Sequence, residues 1–202
     1  MTSKGIIRYA QDTTGPLRWQ PPRASVTNRS EVLPALEEGS QCPQSPNSAS
    51  AYQTLDNSES SEDCLFLNVR APTNCSEETG CPVLVWIHSG GYGQGAGGND
   101  LAPLITTNDN GFIGVGMNYR LGAFGFLSSD EVHRRGVANA GLLDQQLALH
   151  WVQQYIHLFG GDASRVTIFG ESAGAGSVML HDIAYGGTLG TSLFRNSITA
   201  SR

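Results

Sequence analysis

Blocks of apolar and polar residues alternate along most of the 202-residue chain and predict strands and helices in turn. Continuous runs of β-forming residues are typical of strands buried on both faces of a parallel sheet. Such runs predict five strands, at residues 65–69, 83–88, 112–117, 166–169 and 197–200. The run VLVWIH at 83–88 is the clearest of the five.

Helical periodicity is strongest over residues 142–159, and a second helix, rich in small residues, is predicted from about 173 to 183. In the first helix, large apolar side chains recur at every fourth position: Leu143, Leu147, Trp151 and Tyr155. Gly160-Gly161 is expected to end it. Strands that alternate with helices indicate an α/β fold with a largely parallel sheet.

Residues 1–63 have no such periodicity and are expected to be irregular. Proline excludes long helices there, at positions Pro16, Pro21, Pro22, Pro34, Pro43 and Pro46. Residues 41–64 are interpreted as a polar, serine-rich loop. The whole chain fits one domain or a large piece of one.

Composition and charge narrow the class of protein. Hydrophobic residues make up 39% of the chain and charged residues 15%, which is neither a disordered nor a coiled-coil composition. The net charge of -6 and the absence of a basic run argue against a nucleic-acid partner. No apolar stretch is long enough for a transmembrane segment, and MTSKGIIRYA does not have the pattern of a signal peptide.

Four cysteines lie within the first 81 residues, at Cys42, Cys64, Cys75 and Cys81. None belongs to a CxxC pair and no histidine lies at zinc-site spacing from them, so neither a metal nor another cofactor is expected. Glycosylation sequons begin at Asn28 and Asn74. The sequons and cysteines together indicate an oxidising, secretory history, which conflicts with the lack of a recognisable signal peptide.

The strongest chemical motif is Gly170-Glu171-Ser172-Ala173-Gly174, which follows the strand VTIF and opens the second helix. A sharp strand-to-helix turn exposes a serine hydroxyl and aims it at a substrate carbonyl. The residues two before and two after the serine must be small because the strand and helix backbones pass close together. The motif therefore predicts Ser172 as a nucleophile, with the Ala173 N–H as an oxyanion donor.

A second motif, HSGGYGQG at residues 88–95, follows the apolar strand and is called the glycine loop below. Its main-chain N–H groups can approach a substrate oxygen, and acyl transfer needs two or three such donors around the developing oxyanion. Gly90 and Gly91 are the predicted donors. His88 stands at the strand end, where a histidine more often braces the loop than acts as a base.

Residues 93–98 of the same region also match the dinucleotide-binding pattern G-x-G-x-x-G after a strand. That pattern requires a helix at once, but Asn99, Asp100 and Pro103 follow. It also requires an acidic residue after the next strand, where Asn118 stands instead. We therefore disfavour this interpretation.

The remaining histidines have no strong claim to be the base for Ser172. His150 and His157 are assigned to the surface of the long helix, His133 to a charged loop, and His181 to a part of the second helix that points away from the serine. Asp162 is likewise interpreted as structural.

Several longer segments, in order along the chain, resemble the type-B carboxylesterases, the family of the cholinesterases and several fungal lipases. The segments that carry the resemblance are residues 5–22, Glu62-Asp63-Cys64-Leu65, NYRLGAFGFL at 118–127, ANAGLLDQ at 138–145 and FGGD at 159–162. The resemblance implies a partial α/β-hydrolase fold, with a mostly parallel central sheet and flanking helices, truncated at both ends. It would make residues 1–202 an incomplete domain.

The resemblance also implies an activity, the hydrolysis of a small-molecule carboxylic ester or a lipid through an acyl-enzyme. Ser172 would be the nucleophile, and Gly90, Gly91 and Ala173 the oxyanion donors. Ser89 departs from the glycine usual at its position. The acid and the histidine of the family's triad lie well downstream of the serine, so this chain is expected to be inactive alone. The resemblance also implies that the complete protein is secreted.

Two further interpretations concern the class of ligand and partner. A choline ester is disfavoured, because choline-handling members of the family use a tryptophan where residues 43–63 offer only Tyr52. The family also contains non-catalytic adhesion proteins that have lost the serine, and a binding fragment of that kind is the alternative. The sequence leaves the oligomeric state open.

Structural roles are implied for several other residues by the same resemblance. It predicts two ion pairs, Arg18 with Glu62 and Arg120 with Asp144. It also predicts a disulfide between Cys64 and the only cysteine upstream of it, Cys42. A pairing of Cys75 with Cys81 is a weaker expectation.

Overall fold

The structure, a computed structural model, describes residues 6–26, 30, 39–45, 60–78, 80–98 and 100–201. Part of the sequence analysis concerns residues outside these ranges: Gly5, the sequon at Asn28, Tyr52 and residues 46–59 of the polar loop.

The described residues form one six-stranded sheet, in the order β1-β2-β4-β3-β5-β6. The strands are β1 (Ile6–Arg8), β2 (Phe66–Arg70), β3 (Cys81–Ile87), β4 (Ile113–Met117), β5 (Gly161–Glu171) and β6 (Asn196–Ala200). The pairs β4/β3, β3/β5 and β5/β6 are parallel, whereas β1/β2 and β2/β4 are antiparallel. The sheet is therefore mixed and mostly parallel, with β4 and β3 at its centre.

Two strands differ from the sequence prediction. β1 lies in the region expected to be irregular, and it forms because Ile7 pairs with Leu67 of β2 at the sheet edge. β5 begins at Gly161 instead of Val166, because the backbone after the long helix enters the sheet directly and Gly161 pairs with Cys81. Both differences arise from pairing with strands distant in sequence.

Six α-helices flank this sheet in the described part of the chain. They are α1 (Ala102–Thr107), α2 (Gly122–Phe126), α3 (Asp130–Arg135), α4 (Ala140–Tyr155), α5 (Ala173–Gly187) and α6 (Gly190–Leu193). The two predicted helices correspond to α4 and α5, and the four shorter helices were not predicted. No helix among the described residues is both long and apolar enough to cross a membrane.

The long helices end where the sequence predicts. α4 continues as a 3₁₀ turn, Ile156–Phe159, and the chain then turns at Gly160, whose φ of 80° lies in the left-handed region that glycine adopts without strain. α5 loses helical backbone angles at Ala184, one residue beyond its predicted end.

The main core lies between the sheet and helices α4 and α5. It is formed by aliphatic residues, among them Val83, Val85, Ile87, Val115, Leu149, Val152 and Val178. A second, smaller cluster on Trp86 covers part of the opposite face with Leu101 and Ile105. Residues at alternate positions of β3 thus contribute to different faces, and all five residues of β4 are buried.

Candidate active site

Ser172 occupies the turn between β5 and α5, which we call the elbow (residues 170–174). Its φ of 52° and ψ of −118° are strained for a residue with a side chain. Two hydrogen bonds stabilise this conformation: the Ser172 N–H donates to the Ala200 carbonyl at 3.0 Å, and the Gly176 N–H donates to the Ser172 carbonyl at 3.0 Å. The Ser172 side chain is exposed at the N-terminus of α5.

Glycine is required on both sides of the serine. A Cβ atom at Gly170 would overlap the carbonyl group of Gly174, and one at Gly174 would overlap the carbonyl oxygen of Ile87. The same Cβ at Gly174 would also lie 3.1 Å from the carbonyl oxygen of His88. The two small residues of the motif therefore let the helix pass directly over the ends of β3 and β5.

The glycine loop begins beside the elbow because β3 and β5 are neighbours and Ile87 pairs with Gly170. Its backbone turns at Gly90, with φ 111°, and at Gly91, with φ 60°. The N–H groups of Gly93 and Gln94 both donate to the Gly90 carbonyl, each at 3.0 Å, and close the turn. Gly90 and Gly91 are exposed.

The three candidate oxyanion donors share one property. Within the described residues, the backbone N–H groups of Gly90, Gly91 and Ala173 donate no hydrogen bond. The Ala173 N–H also belongs to the first turn of α5, where the helix dipole places partial positive charge. All three groups are therefore available to a ligand oxygen.

The side chain of His88, the first residue of the glycine loop, is buried beneath the rest of the loop. Its ring stacks on Tyr119 with centroids 4.2 Å apart, and the Tyr119 hydroxyl donates to the His88 carbonyl at 2.8 Å. Burial lowers the pKa of His88 to about 4, so the ring is neutral near pH 7. The Ser89 carbonyl can only accept, so Nδ1 donates to it, at 2.8 Å.

The other histidines lie elsewhere in the fold. His181 is buried on α5 and donates through Nε2 to Gln145 Oε1 at 2.9 Å, and burial lowers its pKa to about 4. His150, His157 and His133 are exposed. Within the described residues, no side chain forms a hydrogen bond with the Ser172 hydroxyl.

A segment far upstream also contacts the glycine loop, and the sequence analysis missed it. Residues 42–45, which we call the strap, run alongside residues 93–95. The Gln44 side chain accepts from the Gly95 N–H at 2.7 Å and donates to the Gly95 carbonyl at 3.1 Å. The Ser45 N–H donates to the Gly93 carbonyl at 2.6 Å. No local pattern in the sequence indicates these long-range contacts.

Both disulfides are present. Cys42 is bonded to Cys64 with the Cα atoms 5.0 Å apart, and Cys75 to Cys81 with the Cα atoms 5.5 Å apart. The first disulfide connects the strap to the residues that precede β2. It therefore joins the support of the glycine loop to the sheet.

The structure also contains the two ion pairs. Arg120 donates to Asp144 through Nε at 2.8 Å and Nη2 at 2.7 Å, and both side chains are buried. Arg18 donates to Glu62 through Nε at 2.6 Å and also through Nη2, in a partly exposed position. Each pair is bidentate, the geometry in which arginine binds carboxylates most strongly.

Packing accounts for two glycines in the segment that matches the dinucleotide-like pattern, Gly95 and Gly97. A Cβ at Gly95 would overlap the ring of His88, and one at Gly97 would lie 2.6 Å from the Met117 nitrogen. The next helix, α1, has only six residues and begins at Ala102. Gly95 thus allows the glycine loop to fold over His88, and Gly97 allows the chain to pass close to the end of β4.

Comparison with known proteins identifies the family. The model of the carboxylesterase family matches residues 5–201. A carboxylic ester hydrolase of Bombus ignitus is 42% identical over 195 residues, which cover 96% of this chain and 34% of that protein. Secreted lipase 1 of Botryotinia fuckeliana is 36% identical over 217 residues, covering 96% of this chain and 38% of the lipase.

Solved structures agree with this result. The crystal structure of Aspergillus niger EstA matches 96% of this chain and 37% of its own length, with a TM-score of 0.82 and 38% identity. The fold is that of the α/β-hydrolases, with strands, helices and a serine turn in the arrangement described above. The chain belongs to the carboxylesterase family and spans about a third of the length of the curated relatives it matches.

Proposed function

We propose that the chain carries the nucleophile and the oxyanion donors of a serine carboxylic-ester hydrolase. The observation that carries this proposal is the exposed hydroxyl of Ser172, held on a strained turn at the start of α5. In the proposed reaction, the Ser172 oxygen attacks the ester carbonyl and forms a tetrahedral intermediate. The alcohol then leaves, and water hydrolyses the resulting acyl-serine.

The oxyanion of that intermediate would accept hydrogen bonds from the N–H groups of Gly90, Gly91 and Ala173. Their lack of other partners in the described residues supports this role. Donors that are already oriented stabilise developing charge without reorganisation, and loss of one typically costs about 10²–10³ in kcat.

We further infer that the 202 residues alone do not turn over esters at a useful rate. Serine attack requires a base, and each of the five histidines has a position that argues against that role. His88 and His181 are buried and hydrogen bonded elsewhere. The other three are exposed on α3, on α4 and in the 3₁₀ turn. By resemblance, the acid and histidine belong to the region downstream of Ser172.

The proposed substrate class is a small-molecule carboxylic ester or a lipid. Relatives named as a carboxylic ester hydrolase and as a secreted lipase support this class and a secreted location for the whole protein. The two disulfides support the same location. No observation favours the non-catalytic adhesion alternative, and the retained Ser172 argues against it.

Two enzyme preparations test the proposal. In the first, the purified 202-residue chain and its Ser172→Ala variant are assayed on a short-chain aryl ester, and both should show only background hydrolysis. Serine-dependent turnover at the level of ordinary esterases would contradict the inferred inactivity.

In the second, this chain replaces the matching third of Aspergillus niger EstA in a chimera. The chimera should hydrolyse the ester and react with a fluorophosphonate at Ser172. Ser172→Ala should abolish both, whereas Ser128→Ala, an exposed serine after α2, should abolish neither. Hydrolysis that survives Ser172→Ala would show that another residue is the nucleophile.

A further inference from the structure

The first inference concerns the loop between β2 and β3, at the end of the strands opposite the elbow. We propose that Asn74 is a site of N-linked glycosylation. It opens the sequence Asn74-Cys75-Ser76, the acceptor pattern of that modification. Its side chain is exposed in a turn, and the carboxamide donates to the Asn110 carbonyl at 3.3 Å.

The neighbouring disulfide supports this assignment. Cys75 is bonded to Cys81, and Cys42 to Cys64, so every cysteine of the chain is oxidised. Disulfides form and persist in the oxidising secretory compartment, which is also where N-linked glycans are added. The middle residue of the sequon, Cys75, thus belongs to a disulfide that forms in the compartment where the glycan would be added.

The position of the loop leaves the candidate active site open. The loop precedes the first residue of β3, whereas the glycine loop follows the last. β3 has seven residues, so the two ends lie roughly 20 Å apart at about 3.3 Å per residue. A glycan on Asn74 would therefore extend away from Ser172 and leave substrate access unchanged.

The chemistry requires a lipid-pyrophosphate-linked oligosaccharide and a transferase. The amide nitrogen of Asn74 forms a bond to the anomeric carbon of the sugar, the bond from that carbon to the phosphate oxygen breaks, and the amide proton passes to the transferase. The modified nitrogen retains one hydrogen, which can still donate to the Asn110 carbonyl.

The test uses the full chain with a cleavable leader, expressed in a eukaryotic cell, with Asn28→Gln to remove the other sequon. A reporter sequon in a C-terminal tag records entry into the secretory pathway. Treatment with an N-glycosidase should remove two glycans, one from the tag and one from Asn74. Asn74→Gln and Ser76→Ala should each leave only the tag glycan. A protein whose tag is glycosylated while the Asn74 peptide is unmodified would overturn the proposal.

The second inference rests on the proposed function and concerns the strap. We infer that Gln44 is a positioning residue for the oxyanion donors. Its half-buried carboxamide makes both backbone hydrogen bonds with Gly95 and also donates to the Cys42 carbonyl at 2.7 Å. Within the described residues, no strand pairs with the backbone of the glycine loop. The hydrogen bonds of Gln44 supply the contacts that a neighbouring strand would otherwise make.

Gly95 and Gly90 are connected through the turn that they share. Gly95 has φ 108° and packs against the His88 ring, and the N–H of the preceding Gln94 donates to the Gly90 carbonyl. Loss of the Gln44 contacts would release one end of this turn. The N–H groups of Gly90 and Gly91 would then sample orientations that do not face the oxyanion.

Hydrogen exchange on the 202-residue chain tests the contact without reference to activity. Gln44→Ala should increase exchange at the Gly95 amide. Gln44→Glu should also increase it, because a carboxylate oxygen, which only accepts, would then face the carbonyls of Cys42 and Gly95. Gln11→Ala, which removes a glutamine bonded to the Ala24 carbonyl in another segment, should leave Gly95 unchanged.

The EstA chimera tests the role in catalysis. Gln44→Ala should lower kcat by about 10-fold or more with KM nearly unchanged, because oxyanion contacts are made in the transition state. Unchanged kcat in a chimera that depends on Ser172 would overturn the inference. A chimera that does not depend on Ser172 would instead refute the proposed function, and the exchange result would still decide whether Gln44 holds the loop.

Discussion

The elbow and the N-terminal segment, the described residues between 6 and 65, are held in place by different forces. The elbow lies between central strands and a helix, and backbone atoms of Ile87, Gly170 and Gly174 pack directly against one another. The N-terminal segment contributes only the short strand β1 to the sheet. Its other ties are a disulfide, the ion pairs of Arg8 and Arg18, side-chain hydrogen bonds and scattered backbone hydrogen bonds such as that of Ser45 with Gly93.

The difference shows how one chain can position two parts of a site. Backbone packing permits no adjustment, which suits a nucleophile whose hydroxyl must be placed accurately. Cross-links and side-chain contacts tolerate more change, and through Gln44 they reach the glycine loop. We therefore expect substitutions in the elbow to be far more damaging than comparable ones in the N-terminal segment.

The largest effect is expected for Gly174→Ala. The added Cβ would meet the carbonyl oxygens of Ile87 and His88, and neither backbone group can move without disturbing β3. We expect a loss of about 4 kcal/mol or more in the free energy of unfolding, or failure to fold. Gly15→Ala is the control: no atom lies near its new Cβ, so only the strain of its positive φ, 54°, remains and about 1 kcal/mol is expected. Unfolding in guanidinium chloride measures both variants. Equal losses in the free energy of unfolding would contradict this explanation.

The second comparison is between carboxylates. Asp144→Asn leaves the buried guanidinium of Arg120 without its counter-charge, and the expected loss is about 3–5 kcal/mol. Asp63→Asn removes the partner of Arg8, whose side chain is 39% exposed, and water replaces the lost contact. For that variant the expected loss is about 1 kcal/mol or less. Denaturant midpoints are measured at two salt concentrations. The loss caused by Asp63→Asn should depend on salt and that caused by Asp144→Asn should not; the reverse pattern would contradict the contrast between an exposed and a buried ion pair.

The third comparison concerns the two disulfides. Replacing Cys42 and Cys64 with alanine opens a loop with a sequence separation of 22, and the expected loss is about 3 kcal/mol on the chain-entropy model. Replacing Cys75 and Cys81 opens one with a separation of 6, and about 2 kcal/mol is expected. Thermal unfolding should rank the variants in that order. Only the loss of the Cys42–Cys64 disulfide should also increase hydrogen exchange in the glycine loop. Equal exchange in the two double variants would show that this disulfide does not hold the strap against the glycine loop.

The effect that is smallest near neutral pH is a pH dependence from the buried histidines, none of which precedes His88. Burial lowers the pKa of His88 and of His181 to about 4 in the folded state, against an ordinary value of about 6.5. Between these values the unfolded chain binds protons that the folded chain does not. Stability should therefore fall with decreasing pH, by about 1 kcal/mol per pH unit for each histidine.

Urea unfolding across this pH interval measures the slope. His181→Gln should reduce it relative to the unmodified chain. A slope that this substitution does not change would mean that His181 titrates normally in the folded protein.

The sequence predicted those parts of the molecule whose structure depends on nearby residues. The runs at β3 and β4 are apolar because both strands are buried, and the spacing of Gly170 and Gly174 around Ser172 reflects the contact between a strand and the helix that follows it. The ends of α4 and α5 were also close to those predicted. In each case the residues that decide the structure lie only a few positions apart along the chain.

The tertiary structure alone decided what depends on distant partners. β1 is a strand because Leu67 lies beside Ile7, and the glycine loop lies next to the elbow because β3 pairs with β5. The contact of Gln44 with Gly95, 51 residues away, has no local pattern at all. The sequence by itself therefore determined the serine turn, and it predicts Ser172 as the nucleophile. The grouping of that turn with the proposed oxyanion donors and their support required the folded sheet, because strand order and long-range hydrogen bonds are set only when separate elements pack together.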